Sequence, residues 1–315
     1  MIASCLKNAF DPACPNVKHT TTSKQKNGEW DHDPFLLQQR RANKRLKSLK
    51  SATTTTQEQE EMRQLNENME LLETIKREDN ITIRIQRLAQ LENINQLVYV
   101  LDHLNFQDHE GGQEDIIFEE TCRQIDNIPQ HQYAVQLLSK IIVPQLKNRK
   151  TLLSRPLSQQ LLQVQNHRAM IQGLVLEYIS VCELTTHNNI MIKLIQQCSP
   201  TLRQSFIHDI LQKRPWKKQQ EDVIITLIDK ALTQQPLLTA LPFLDELLHV
   251  IRLGVQLDPK VKNYMQLLLT LTSKYGSLLT QSLDNVKQIA QSSDMFLKRA
   301  VLGQLTSIRK KLTIQ

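Results

Sequence analysis

The chain is short of glycine, of aromatics and of long apolar runs. Only 7 of its 315 residues are Gly, and 4% are aromatic. Strand-rich folds place glycine in tight turns and aromatic or β-branched residues in strands, so this scarcity argues against them and leaves helix. No apolar run reaches the ~18 residues that a membrane-spanning helix needs. The opening "MIASCLKNAFDPACP" has no apolar h-region and does not read as a secretory signal. The five cysteines (Cys5, Cys14, Cys122, Cys182, Cys198) are scattered, odd in number and without a CxxC pair. That pattern argues against a disulfide framework or zinc site and favours a reducing compartment. Cys122, Cys182 and Cys198 lie in apolar helical contexts and read as core filler.

Catalytic and cofactor motifs are also missing. There is no GxxxxGK[ST] phosphate loop, no GxGxxG turn, no GxSxG elbow and no HExxH helix. "WDHDP" places Asp31, His32 and Asp33 side by side, but adjacent residues in a polar tail make a poor metal cage. "DHEGGQED" gathers Asp108, His109, Glu110, Glu114 and Asp115 without the alternating ligands of a calcium loop, and reads as a solvated acidic loop. Glu221–Asp222 and Asp245–Glu246 read as surface or helix-start features. The sequence therefore predicts no enzyme, no cofactor and no metal. Zinc-finger, RRM and aromatic–basic signatures of nucleic-acid binding are absent too.

Charge is present, and it is uneven. Residues 1–50 carry 10 Lys/Arg against 4 Asp/Glu, residues 51–120 carry 5 against 16, and residues 121–315 carry 24 against 12. A basic body suits an acidic partner or a nearby nucleic acid, or is simply a Lys-rich solvated surface. Residues 1–56 read as a disordered basic tail. Within it "LLQQRRANKRLKSLKS" packs Arg40, Arg41, Lys44, Arg45, Lys47 and Lys50, the density of a nuclear import signal. The solvated face of a short helix, with Leu36, Leu37, Leu46 and Leu49 opposite, is the plainer reading. Residues 57–112 form an acidic helical segment. Met62, Leu65, Met69, Leu72 and Ile75 are spaced as an amphipathic stripe, and residues 81–104 read as a helix despite the alternation of Ile81, Ile83 and Ile85. The Gly111–Gly112 loop marks a soft boundary.

From residue 113 to 315 helical stretches of roughly 12–18 residues alternate with Pro, Asn or Ser punctuation. Pro129, Pro144, Pro156, Pro200, Pro215, Pro236, Pro242 and Pro259 mark expected helix boundaries. In "PWKKQQEDVIITLIDKAL" the residues Val223, Ile224, Leu227, Ile228 and Ala231 form an apolar stripe. Helix pairs recur about every 40–50 residues, which suits an all-α, HEAT-like solenoid; a compact helical bundle is the competing architecture.

The last stretch, "SDMFLKRAVLGQLTSIRKKL", predicts a helix with Ser293 as N-cap and Asp294 at its first position. At ~100° per residue Leu297, Ala300, Val301, Gln304, Leu305, Ile308 and Leu312 share the inward side, and Phe296 lies roughly 120° from its centre. An aromatic beside Lys298 and Arg299 off the buried stripe is what a protein-binding hot spot looks like. A staple folded back onto "SLLTQSLDNV" is the alternative.

Three segments carry a family resemblance. "KYGSLLT" (274–280), "FLKRAVLGQL" (296–305) and the Trp-led "PWKKQQEDVIITLIDKAL" (215–232) resemble, in order and spacing, the C-terminal helical-repeat domain of the Fanconi anaemia group E family, FANCE. The resemblance covers about 155–312 and is best over 205–312. The last helix departs from the family pattern at Ala300–Gly303 and in the basic tail Arg309–Lys311. The resemblance implies a non-catalytic nuclear subunit of the Fanconi core complex, a ubiquitin ligase acting in DNA interstrand crosslink repair. It implies a link between a FANCC-like subunit and the Fanconi group D-two substrate, with Phe296 and Leu297 in the substrate-binding segment and Lys298 beside them. Any association with DNA would be weak or indirect, and none with membrane is expected. An unrelated nuclear helical-repeat scaffold and a basic helical nucleic-acid binder are the rival readings.

Overall fold

The computed structural model describes residues 59–104, 106, 113–149, 151–181 and 186–314. The expected disordered tail, the basic cluster Arg40, Arg41, Lys44, Arg45 and Lys47, the "WDHDP" and "DHEGG" stretches, and Cys5, Cys14 and Cys182 lie outside these residues. The chain divides into two units, Met1–Arg63 and Gln64–Gln315. Of the first, only 59–63 are described, as the start of a helix over 59–76 (α1).

All the regular secondary structure of the described residues is helical, with no strand among them. After α1 come α2 (Ile81–Ala89), α3 (Ile94–His103) and α4 (Gln113–Ile125). Next, α5 (His131–Leu137) runs through a π-helical segment (Leu138–Ile142) into α6 (Val143–Asn148). After α7 (Arg155–Gln163), α8 (His167–Ala169) runs through a second π segment (Met170–Val175) into α9 (Leu176–Val181). Then follow α10 (Asn188–Gln197), α11 (Pro200–Gln212), α12 (Lys218–Thr233), α13 (Leu244–Leu257), α14 (Lys262–Lys274), a 3-10 turn (Gly276–Leu279), α15 (Leu283–Gln291) and α16 (Leu297–Ile314).

Several helix ends follow from local chemistry. Asn80 accepts from the Ile83 N–H and Asn93 from the Asn95 N–H, so the stretch 81–104 is two helices rather than the single one the apolar pattern suggests. Ser154 and Ser199 cap α7 and α11, and Pro156 and Pro200 sit in the first turns, where the missing N–H costs nothing. Pro144 is different. It was expected at a boundary but lies inside the continuous helix 131–148, just past the π segment. A proline ring crowds the carbonyl of residue i−4, and a π turn widens the helix where that conflict would fall.

The helices pack in rows. α2, α4, α7, α10, α12, α14 and α16 each touch the next. α3 lies on α5, α5 and α6 on the α8–α9 helix, and α13 on α15. Hairpin partners α11 and α12, α13 and α14, α15 and α16 touch across the rows. Because α12 touches α10, α11 and α14, it buries more than one stripe: Ile224, Ile225, Leu227, Ile228, Ala231 and Leu232 are all inside, while Val223 is half-buried. The expected boundary at 112/113 falls inside the second unit, since α2 packs on α4 and the Gln86 amide reaches the buried Glu120.

Two close approaches depend on glycine. A Cβ on Gly173 would lie 2.6 Å from the Val135 carbonyl oxygen, and one on Gly254 would lie 2.2 Å from the Tyr264 ring. Buried polar groups tie the rows together. Arg203 of α11 is fully buried and donates to the carbonyls of Ala231 (2.7 Å), Gln234 (2.8 Å) and Pro236 (2.5 Å), closing the C-terminal end of α12. Gln220 donates to Ile179 O (2.6 Å) at the end of α9. Tyr275 donates to Leu232 O (2.7 Å), and Thr270 donates to Asp229 (2.6 Å).

Candidate functional site

The turn between α15 and α16 is pinned from below. The Ser293 hydroxyl donates to the Pro259 carbonyl (3.0 Å), and the Asp294 N–H donates to the same oxygen (3.0 Å). The Met295 N–H donates to Ser293 Oγ (3.1 Å). The helix proper starts at Leu297, not at Asp294. The reason lies in these bonds: they hold 293–296 in a turn anchored to the end of the preceding hairpin.

This turn sorts the three predicted partner-binding residues into different roles. Phe296 is 73% exposed, so it does not fold back as a staple. Leu297 is 9% exposed and heads the buried line Leu297, Val301, Leu305, with Ile308 half-buried below. Ala300, Gln304 and Leu312, expected on the inward side, are exposed; α16 packs on α14, α15 and the 3-10 turn with the line Leu297, Val301 and Leu305. Lys298 folds across the end of α15, donating to Gln291 O (2.7 Å) and Ser293 O (3.3 Å). An ammonium on the orphan carbonyls of a helix end is a capping interaction.

Leu257, at the end of α13, is 83% exposed and was missed in the sequence. It lies two residues before Pro259, so it and Phe296 project from segments hydrogen-bonded to each other. Close to them in the chain, Asp258, Lys260, Lys262, Asp294 and Arg299 are exposed. The two hydrogen-bonded segments thus carry one exposed leucine and one exposed phenylalanine among charges of both signs.

Elsewhere the titratable groups serve packing. Burial pushes the Cys122 and Cys198 thiols up to about 12, which keeps both protonated and inert. Burial raises Tyr264, and its hydroxyl donates to Glu221. Burial lowers His187. Among the described residues no three His, Cys, Asp or Glu side chains come together as metal ligands would. No described helix is long and apolar enough to cross a membrane.

Comparison with protein-family models, curated proteins and solved structures gives no match.

Proposed function

We propose that the chain is a non-catalytic helical-repeat adaptor of the Fanconi group E type. In this reading the helix rows form a HEAT-like solenoid, and the protein works in the nucleus as part of the core complex, entering through the cluster Arg40–Lys47. It holds a FANCC-like subunit through other repeats and presents the C-terminal turn to the group D-two substrate. Its mechanism is tethering: it raises the substrate's effective concentration beside a ligase held elsewhere in the complex.

The observation that carries the reading is the exposure of Phe296 on a turn whose neighbour Leu297 is buried. A large aromatic held out by a fixed backbone loses little freedom on binding and buries much area when covered. The three segments of the resemblance fall on α12, on the 3-10 turn that follows α14, and on the start of α16, all of which touch α14. The test is monoubiquitination of the group D-two protein by a reconstituted core complex containing this chain. Phe296→Ala should lower the rate at subsaturating substrate while leaving the FANCC-like subunit bound. An unchanged rate would remove the substrate-docking role.

A further inference from the structure

The apolar stripe of α1 is only half covered. Leu72 and Ile75 are buried, but every residue from 59 to 67 is exposed, and Met62, Leu65 and Met69 stand 59%, 42% and 50% exposed. Met62, Leu65, Met69 and Leu72 follow the 3–4–3 spacing of a heptad seam, of which the first three positions are open. A helical stretch this short gains little stability by itself and depends on packing of its apolar face.

The charges on α1 say what can cover the seam. The helix carries Glu60, Glu61, Glu67, Glu70 and Glu73 against Arg63 and Lys76. Both cations already sit by glutamates of the same helix, Arg63 3.9 Å from Glu60 and Lys76 3.7 Å from Glu73. Glu61 and Glu73 flank the seam on its two sides. A second copy of α1 would set glutamate against glutamate, so the seam suits an amphipathic helix with cations beside its apolar residues. The chain holds such a segment just upstream. Residues 36–50, outside the described residues, carry six Lys/Arg and no Asp/Glu. On a helix Ala42, Leu46 and Leu49 fall within about 60° of one another, as Met62, Leu65 and Met69 do.

We propose that residues 36–50 fold back on α1 as an antiparallel helix, with Leu49 on Met62, Leu46 on Leu65 and Ala42 on Met69. One register makes all three pairs, because the spacing of the upstream triplet is that of the α1 triplet in reverse. The same register brings Arg45, beside Leu46, to the side of the seam that Glu61 flanks. The joining stretch "SATTTTQE" (51–58) has a length usual between packed helices, roughly 2–8 residues. The contact is independent of the Fanconi reading and lies far in sequence from the Phe296 turn.

The test is disulfide trapping in the full chain, with Cys5, Cys14 and Cys182 replaced by Ser and the buried Cys122 and Cys198 kept. Leu46→Cys is combined either with Leu65→Cys, in the seam, or with Glu67→Cys, on the far side of α1, and each pair is oxidised with copper–phenanthroline. The tether is nearly the same in both, so chance encounter should close them equally and docking should close the seam pair about tenfold faster or more, within one chain and at a rate independent of protein concentration. Leu49→Cys with Met62→Cys, which leaves Leu46 and Leu65 in place, should close as fast as the first seam pair. Adding Glu61→Lys, Glu70→Lys and Glu73→Lys to a seam pair should slow it several-fold with helicity unchanged. Equal rates for seam and far-side pairs would overturn the proposal. So would crosslinks between chains that grow with protein concentration, which would give the seam to a second copy.

Discussion

Phe296 and Leu297 are neighbours in sequence with opposite fates, one 73% exposed and the other 9%. Their truncations should therefore separate cleanly. Phe296→Ala should change unfolding free energy by less than about 0.5 kcal/mol, as surface substitutions do, whereas Leu297→Ala should cost about 2 kcal/mol or more. Urea unfolding of the two variants decides it; equal losses would mean that Phe296 is a core residue. A second residue-scale expectation concerns alkali. Cys122 and Cys198 rise from 9.0 to about 12 in the folded chain, so between those values the unfolded state releases protons that the folded state keeps. Stability should hold below about pH 9 and fall above it, by on the order of 1 kcal/mol per pH unit per thiol. Serine at both positions should flatten the slope of unfolding free energy against pH; an unchanged slope would assign it elsewhere.

At the scale of elements, helix content was legible and helix joints were not. The 3.6-residue spacing of apolar side chains marks α12, whose Ile224, Leu227, Ile228 and Ala231 are buried. The joints depend on contacts distant in sequence. Pro144 looks like a terminus until the π segment before it is seen to accommodate the ring. Ser293 looks like a cap until its hydroxyl is found on Pro259 O, 34 residues away. The angle of Phe296 on the expected helix left both an exposed position and a staple open, and the partnership of Lys298 with the end of α15 could not be read at all. Nothing in a Leu at 257 announces that it stays uncovered. The two glycines 173 and 303 give a contrast at the same scale. Gly173→Ala should destabilise by about 1–3 kcal/mol, since the new carbon meets the Val135 backbone at 2.6 and 2.8 Å and the helices must part. Gly303→Ala, with nothing within 4 Å in the exposed side of α16, should stabilise by about 0.5–1 kcal/mol. Chemical unfolding of both variants checks the pair, and the same sign for both would contradict the packing of α5 against the second π segment.

For the whole molecule, the composition pointed to helix and the charge pattern pointed to segments, but packing drew the unit differently. The Gly111–Gly112 pair reads as a boundary, yet α2 and α4 share a core across that point. A glycine pair marks a break between helices and does not report which buried faces meet. The fragment 64–315 should accordingly fold with a single cooperative transition, and 113–315, which strips α1 to α3 from α4 and α5, should melt at lower temperature. Circular dichroism during heating compares them; identical melting would place the boundary at 112/113 after all.

Under the proposed function, this helical array is an adaptor whose C-terminal turn holds a ubiquitination substrate. The most direct test is the affinity of the full chain for the purified Fanconi group D-two protein of the same organism, measured by biolayer interferometry with wild type and Phe296→Ala. Binding should be saturable and should weaken by about 2 kcal/mol, roughly thirtyfold, in a variant whose melting temperature is unchanged. No binding by the wild type, or equal binding by a folded Phe296→Ala, would contradict it.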